Sequence, residues 1–298
     1  MRKILVVIVG PTASGKSALA MQIAKQYDCA IFSADARQFY KEMSIGTAKP
    51  TAKELSEVPH FFVNNLSISD DYTAGKYETE CIAVLNEYFK ANDIAILCGG
   101  SGLFVRAVLE GIEEKPAIDE HIRNEVRALS ISEMQDRLNT LDPAFFAQVD
   151  IHNGRRLSRA LEVILSSEKT MSEQHSGVKK QRNFEPLIFG MEVEREHLFT
   201  QINHRVDNMI AAGLEEEVRT LIEYKKLNAF QTVGYQEWGS FFENKMSKTD
   251  VIELIKKNTR HYAKRQMTWF KKMENVQWHS PNEVEKISAL INDFWTKT

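Results

Sequence analysis

The stretch "RKILVVIVGPTASGKSALA" near the start of the chain restricts the fold more than any other. Ile4 to Val9 form an unbroken apolar, largely β-branched run, the pattern of a parallel strand buried on both faces. Gly10, Gly15, Lys16 and Ser17 follow it in the spacing G-x-x-x-x-G-K-S, and an amphipathic helical segment begins at Ser17. A strand, a glycine-bearing turn and a helix in that order make a phosphate loop. Its successive backbone N–H groups and the positive end of the helix face phosphate oxygens. Pro11, Thr12, Ala13 and Ser14 complete the loop, Lys16 can reach a terminal phosphate, and the Ser17 hydroxyl can ligate Mg2+. The loop alone leaves open whether the phosphates power something, are passed on, or only depart.

The remaining pattern predicts an α/β fold: a doubly wound parallel sheet of the P-loop NTPase-like kind, carrying an all-helical insertion. "CAIFSAD" reads as a strand ending on Asp35, "PHFFVNNL" as a further strand, and "DIAILCGG" as a buried strand running into Gly99 and Gly100. Ligands in such sheets bind beyond the carboxyl ends of the strands, so the phosphate loop, Asp35 and Ser101 should share one cleft. From residue 115 to 185 no strand signal remains, and this stretch is expected to be a helical insertion entered past Pro116 and left through Pro186. The catalytic core is then residues 1–114 and 186–298. A long helix is expected through "LFTQINHRVDNMIAAGLEEEVRTLIEY", then a loop, a long basic helix, a short strand "NVQW" and a closing helix.

Composition narrows the function classes. With 43% apolar and 27% charged residues the chain is ordinary globular material, and its net charge of −3 excludes a general polycation. Cys29, Cys81 and Cys98 are scattered without metal-type spacing, which points to a reducing, cytoplasmic setting and away from a disulfide framework or zinc site. No apolar run approaches the ~20 residues that span a bilayer, so no membrane partner is expected.

Two further features carry chemistry. A strand-end Asp35 facing a phosphate loop suits metal binding or general-base work, as well as the plain role of a turn or cap. The later strand ends in glycines instead of the second carboxylate that NTPases use to ready water. Residues 256–272, "KKNTRHYAKRQMTWFKK", hold five lysines and two arginines with no acidic residue. As a helix they place Ile255, Tyr262, Gln266, Trp269 and Met273 on one side and Arg260, Lys264 and Lys271 on another, with Lys257 and Arg265 nearby. With "GRRLSR" at 154–159, such unmixed basic faces in a net-acidic protein fit an RNA backbone.

Taken together, "GPTASGKSALA", "SADARQFYKEMSIGTAKP", "YTAGKYE", "CGGSGLFVRAVLEG", "NGRRLSRALEV", "RVDNMIAAGLEEEV", "VGYQEW" and "NTRHYAKRQMTWF" closely resemble the bacterial-type tRNA dimethylallyltransferase (tRNA isopentenyltransferase) family over about residues 4–272. The resemblance implies transfer of a dimethylallyl group from dimethylallyl diphosphate to the exocyclic amine of the adenosine just 3′ of the anticodon. The loop would hold the donor's diphosphate, with Mg2+ on Ser17 and Arg205 as a further diphosphate partner. Asp35 would be the general base, with Ser101 and Lys16 in catalytic roles. Asp35, Ala36, Arg37 and Gln38 would lie beside the flipped base. Arg155, Arg156, Leu157, Ser158 and Arg159 would contact RNA, as would Arg260, Lys264 and Arg265 of the basic helix. The family usually has Thr at Ser101, Tyr at Phe104 and Ser at Ala36, so a hydroxyl is kept at the first position and lost at the last. The expected partners are a tRNA anticodon stem-loop and dimethylallyl diphosphate, acting on a monomer. Rival readings are an AMP dimethylallyltransferase, a small-molecule kinase on the same loop, and a non-catalytic RNA-binding module.

Overall fold

The computed structural model describes residues 2–113, 118–167, 169–174 and 179–296. It divides into two compact units, Gly111–Lys180 and the remainder, Met1–Glu110 with Gln181–Thr298. The larger unit begins β1 (Ile4–Val9), α1 (Lys16–Tyr27), β2 (Ile31–Ser33), α2 (Ala52–Glu57), β3 (His60–Phe61), α3 (Ala74–Ala91), β4 (Ile94–Gly99) and α4 (Gly102–Glu110). The smaller unit holds α5 (Glu120–Arg127), α6 (Ile131–Leu141), α7 (Pro143–Phe146), α8 (Gly154–Ser167) and α9 (Met171–Gln174). The larger unit then resumes with β5 (Glu185–Met191), α10 (Arg195–Ala211), α11 (Leu214–Thr220), α12 (Trp238–Phe242), α13 (Lys248–Phe270), β6 (Val276–His279) and α14 (Val284–Thr296).

The six strands form one sheet in the order β3-β2-β4-β1-β5-β6, and every pairing is parallel. All residues of β1 and β4 are buried, because both faces of the sheet are covered. Leu5, Val7 and Val9 point toward α3 and α4, joining Tyr77, Leu85, Val105 and Val108. Ile4, Val6 and Ile8 point the other way, toward Leu19 and Ile23 of α1 and Ile287 and Ile291 of α14. The first and last helices are also tied by hydrogen bonds, from Tyr27 Oη to Ser288 O (2.9 Å) and from Ser288 Oγ to Gln26 Oε1 (2.7 Å). A third cluster in the same unit gathers Tyr40 and Met43 with Trp238, Tyr235, Val218 and Val251.

Three expectations shift. The strand read in "PHFFVNNL" is two residues long, because Phe62 and Asn64 take φ of 63° and 56°, outside the strand region. The long helix breaks into α10 and α11 at Gly213, whose φ of 96° suits glycine and no extended helix. The smaller unit runs 111–180, where 115–185 was expected. Pro116 lies outside the described residues, and Pro186 sits inside β5 opposite Leu5. The strand tolerates it for a geometric reason. Glu185 N–H donates to Lys3 O on the β1 side (2.8 Å), which puts the missing N–H of Pro186 on the β6 side. There β6 pairs only from Ile188 onward.

The smaller unit has its own core of Val126, Leu138, Leu157, Leu161 and Ile164 from α5, α6 and α8. Its helix α6 starts in a capping box, with Ser130 and Glu133 each bonding the other's backbone N–H.

Candidate active site

The carboxyl ends of three neighbouring strands, β2, β4 and β1, carry Asp35, the Gly99–Gly100–Ser101 turn and the phosphate loop. In that loop Ala13 and Gly15 adopt positive φ of 62° and 83°, which curls the backbone ahead of α1. Gly15 ends the turn because a side chain there would strain this geometry and press on Pro281. Lys16 folds back, its Nζ donating to Pro11 O (3.1 Å). Ser14 is 2% exposed, and its Oγ is buried with no hydrogen-bond partner. A buried hydroxyl of this kind ordinarily finds a partner. Ser17 is exposed at the first turn of α1.

The charges around the loop converge. Burial lowers the Lys16 ammonium from its ordinary range; nearby Arg205 pushes the same way, while Cys98 and Asp35 oppose it. Burial likewise lowers Arg205 of α10, and Asp35 opposes this too. Among the described residues Arg205 has no carboxylate within ion-pair distance. The Cys98 thiol, behind Lys16, is pushed up to about 11 by burial. Two cations thus face one carboxylate, and Asp35 is the only carboxylate bearing on both among the described residues.

The wall beside Asp35 is tightly bonded. Arg37 N–H donates to Asp35 Oδ1 (2.9 Å), and Ala36 N–H donates to Ser101 Oγ (3.0 Å), joining the β2 and β4 loops. The Arg37 guanidinium donates to Ala36 O (3.0 Å) and Asn228 O (3.1 Å). Gln38 is engaged with Ser33 Oγ and with the carbonyls of Thr47 and Ala48, so its side chain serves the loop itself. Tyr262 of α13 stands over this corner. Burial raises its phenol to about 12, with Asp35 acting the same way and a Ser101 hydrogen bond opposing.

Sequence reasoning missed two residues that hold these loops. Glu217 of α11 accepts the N–H groups of Ser44, Ile45 and Gly46 at 2.8–3.1 Å and the Tyr235 hydroxyl at 2.6 Å. Gln266 of α13 accepts Thr12 N–H (2.8 Å) and donates to Gly100 O (2.8 Å). Its signal was legible: a lone amide among Ile255, Tyr262 and Trp269 on the buried side of a helix.

The RNA-contact expectations divide. In α13, Lys264 and Arg265 are exposed, whereas Arg260 donates to Asn203 of α10 (2.7 Å) and Lys256 pairs with Asp207 (2.8 Å). In α8, Arg155 and Arg156 are exposed in the first turn, and Arg159 is exposed beside Glu162 (3.3 Å). Ser158 Oγ donates to Glu162 Oε1 (3.3 Å). Leu157 is 0% exposed in the core of the smaller unit, so the expected RNA contact of its side chain is corrected: it packs.

A glycine-lysine-serine loop after an inner strand of an all-parallel sheet, with a cationic pair facing one strand-end carboxylate, gives the chain a P-loop-like α/β fold. A family model described as IPP transferase matches residues 38–273. The chain is 45% identical to a tRNA dimethylallyltransferase of Flavobacterium johnsoniae, over 98% of each chain. It is 42% identical to one of Cytophaga hutchinsonii, over 98% of this chain and 97% of that one. A solved tRNA isopentenylpyrophosphate transferase of Bacillus halodurans superposes with a TM-score of 0.73 at 30% identity, covering 99% and 96% of the two chains. A eukaryotic dimethylallyltransferase captured acting on tRNA gives a TM-score of 0.86 at 25% identity, covering 99% of this chain and 80% of that chain. The chain belongs to the IPP transferase family. No helix among the described residues is long and apolar enough to cross a membrane.

Proposed function

We propose that the protein transfers a dimethylallyl group from dimethylallyl diphosphate to the exocyclic amine of the adenosine 3′-adjacent to the anticodon, giving N6-(dimethylallyl)adenosine and diphosphate. The observation that carries this reading is the pairing of Lys16 and Arg205, both lowered by burial, against the single carboxylate Asp35. Two partly buried cations so placed are poised to accept a polyanion, and they gain most from negative charge that develops there. In the reaction the allylic carbon–oxygen bond breaks and its electrons go to the departing diphosphate. The loop N–H groups, Ser14 Oγ, Lys16 and Arg205 stabilise that charge.

The adenine amine is a weak nucleophile, so bonding to the allylic carbon must accompany loss of its proton. Asp35 takes this proton. Its Oδ1 is fixed by Arg37 N–H, which leaves the second carboxylate oxygen for the amine. Ser101 Oγ accepts Ala36 N–H and bonds the Tyr262 phenol, which holds the hydroxyl beside the reacting centre. The base reaches the site only when flipped from its stack.

An Mg2+ ion would need only a hydroxyl from the protein here, because phosphate oxygens and water supply the rest of its shell. Among the described residues no group of three or more His, Cys, Asp or Glu could hold a metal, and Ser17 stands exposed at the loop's end. Ser17 would hold the ion, with diphosphate oxygens and water completing its shell. Bound there, it supplies further neutralisation of the leaving group.

The exposed basic residues of α13 support an RNA substrate, as do Arg155 and Arg156. These two sit in the first turn of α8, where the helix dipole disfavours cations, so they do not stabilise their own helix. The deciding experiment supplies dimethylallyl diphosphate labelled in the allyl group, with tRNA and with AMP in parallel, Mg2+ present and ATP absent. Label should appear in tRNA. Label in AMP alone, or a requirement for ATP with phosphorylated product, would replace this reading by one of its rivals.

A further inference from the structure

Gln266 is 6% exposed, and both ends of its amide are committed to loops of the site. Its Oε1 accepts Thr12 N–H of the phosphate loop, and its Nε2 donates to Gly100 O, one residue before Ser101, each at 2.8 Å. A Cβ at Gly100 would collide with that Nε2, so the glycine exists in part to admit the amide. Neighbouring positions on the same helix face repeat the theme. Ala263 is fully buried in a cluster against which Ala13 of the phosphate loop packs. Trp269 lies so close to Gly102 that a side chain there would strike its indole. At about 100° per residue, Lys257, Lys264 and Lys271 fall roughly 140–180° around the helix from Gln266. All three are exposed, and among the described residues none has a carboxylate within ion-pair distance.

We infer that Gln266 is a positioning residue that fixes the phosphate loop against the Ser101 loop and makes diphosphate binding responsive to RNA seated on the opposite face of α13. The inference rests on the proposed function, since it takes the loop to hold diphosphate and the lysine stripe to meet RNA. The helix is a stiff rod of 23 residues with one face on each partner. Phosphates settling on the lysine stripe load the rod. The amide then passes this load to two backbone atoms, Thr12 N and Gly100 O, that set the spacing between leaving group and Ser101. Rigid helices and hydrogen-bond networks are among the physical routes by which coupling between sites travels.

Inorganic diphosphate, titrated calorimetrically with and without a tRNA anticodon stem-loop, provides the probe. In the wild type the RNA should raise diphosphate affinity about fivefold or more. In Q266M that ratio should fall to within about twofold of one while RNA affinity holds, and kcat should fall about 10- to 100-fold. Q266E keeps the acceptor for Thr12 N–H but sets a carboxylate oxygen against Gly100 O, a clash relieved on protonation. Its activity relative to wild type should therefore climb as pH falls, which a packing role would not produce. An unchanged RNA-induced ratio in Q266M overturns the inference, as does a flat Q266E-to-wild-type activity ratio across pH. If Q266M does not fold, Q266E decides alone. A wild type that binds diphosphate indifferently to RNA overturns the coupling only; one that binds no diphosphate overturns the proposed function as well.

Discussion

The loops after β1 and β2 flank the same cleft and are built on opposite plans. The β1 loop keeps polar groups in reserve: Ser14 Oγ has no partner, and Lys16 makes a hydrogen bond to a single carbonyl. The β2 loop reserves little. Its Arg37, Gln38, Thr47 and Lys49 are bonded to backbone or side chains nearby, and Glu217 gathers three consecutive N–H groups at 44–46. An unmet donor is costly unless a ligand meets it, while a met one holds a wall in place. On the proposed function the first loop is the receptor and the second the scaffold, with Asp35 at the scaffold's working edge.

Substitutions can test that contrast, and the largest effect belongs to the working edge. Asp35→Asn keeps the oxygen that accepts Arg37 N–H and removes the base. It should lower kcat about 10²- to 10⁴-fold with RNA affinity unchanged, and near-normal turnover would strip Asp35 of its role. Lys16→Met should cost about 10²- to 10³-fold in kcat by removing charge stabilisation from the leaving group. It should also abolish a pH effect. Because burial lowers Lys16, diphosphate affinity should begin to fall with rising pH earlier than an ordinary lysine would dictate, and binding should take up protons in that window. Calorimetry in buffers of different ionisation enthalpy reads the uptake directly.

On the scaffold side, Glu217→Ala should cost about 2–3 kcal/mol of stability by freeing three N–H groups and the Tyr235 hydroxyl. A urea midpoint measures it, and kcat of the folded protein should change less than tenfold. A loss confined to kcat would make the scaffold catalytic and dissolve the contrast. Ser14→Ala should cost about 1 kcal/mol in diphosphate affinity with no loss of stability, since no internal bond is broken. Smallest per site, Lys264→Glu with Arg265→Glu should weaken RNA binding and flatten its dependence on salt. An unaltered slope would mark that face as merely solvated.

The same contrast explains what the sequence made legible. The receptor loop was readable because its chemistry is local: Gly10, Gly15, Lys16 and Ser17 define it within eight residues of chain. β1, β4 and α13 were readable from apolar runs and helical spacing for the same reason. Gln266 and Glu217 act on loops 166 and about 170 residues away, so no window of sequence contains both partners. The break at Gly213 escaped because apolar periodicity continues through it, and the backbone conformation of one residue decides it. Leu157 was misread because it lies inside an arginine-rich block, where its place on the inner side of α8 is masked by its neighbours.

The bonding of α1 to α14 has a consequence for how the protein comes into being. The helix that begins with Lys16 packs against Ile287, Ser288 and Ile291 as well as the sheet, and these three emerge from the ribosome some 270 residues later. At ~5–20 residues per second, the earliest-made part of the site waits tens of seconds for its last wall. During synthesis the nascent α1 keeps an apolar stripe bare, a natural hold for a chaperone. Until α14 docks, the helix that follows the phosphate loop lacks one of the elements packed against it.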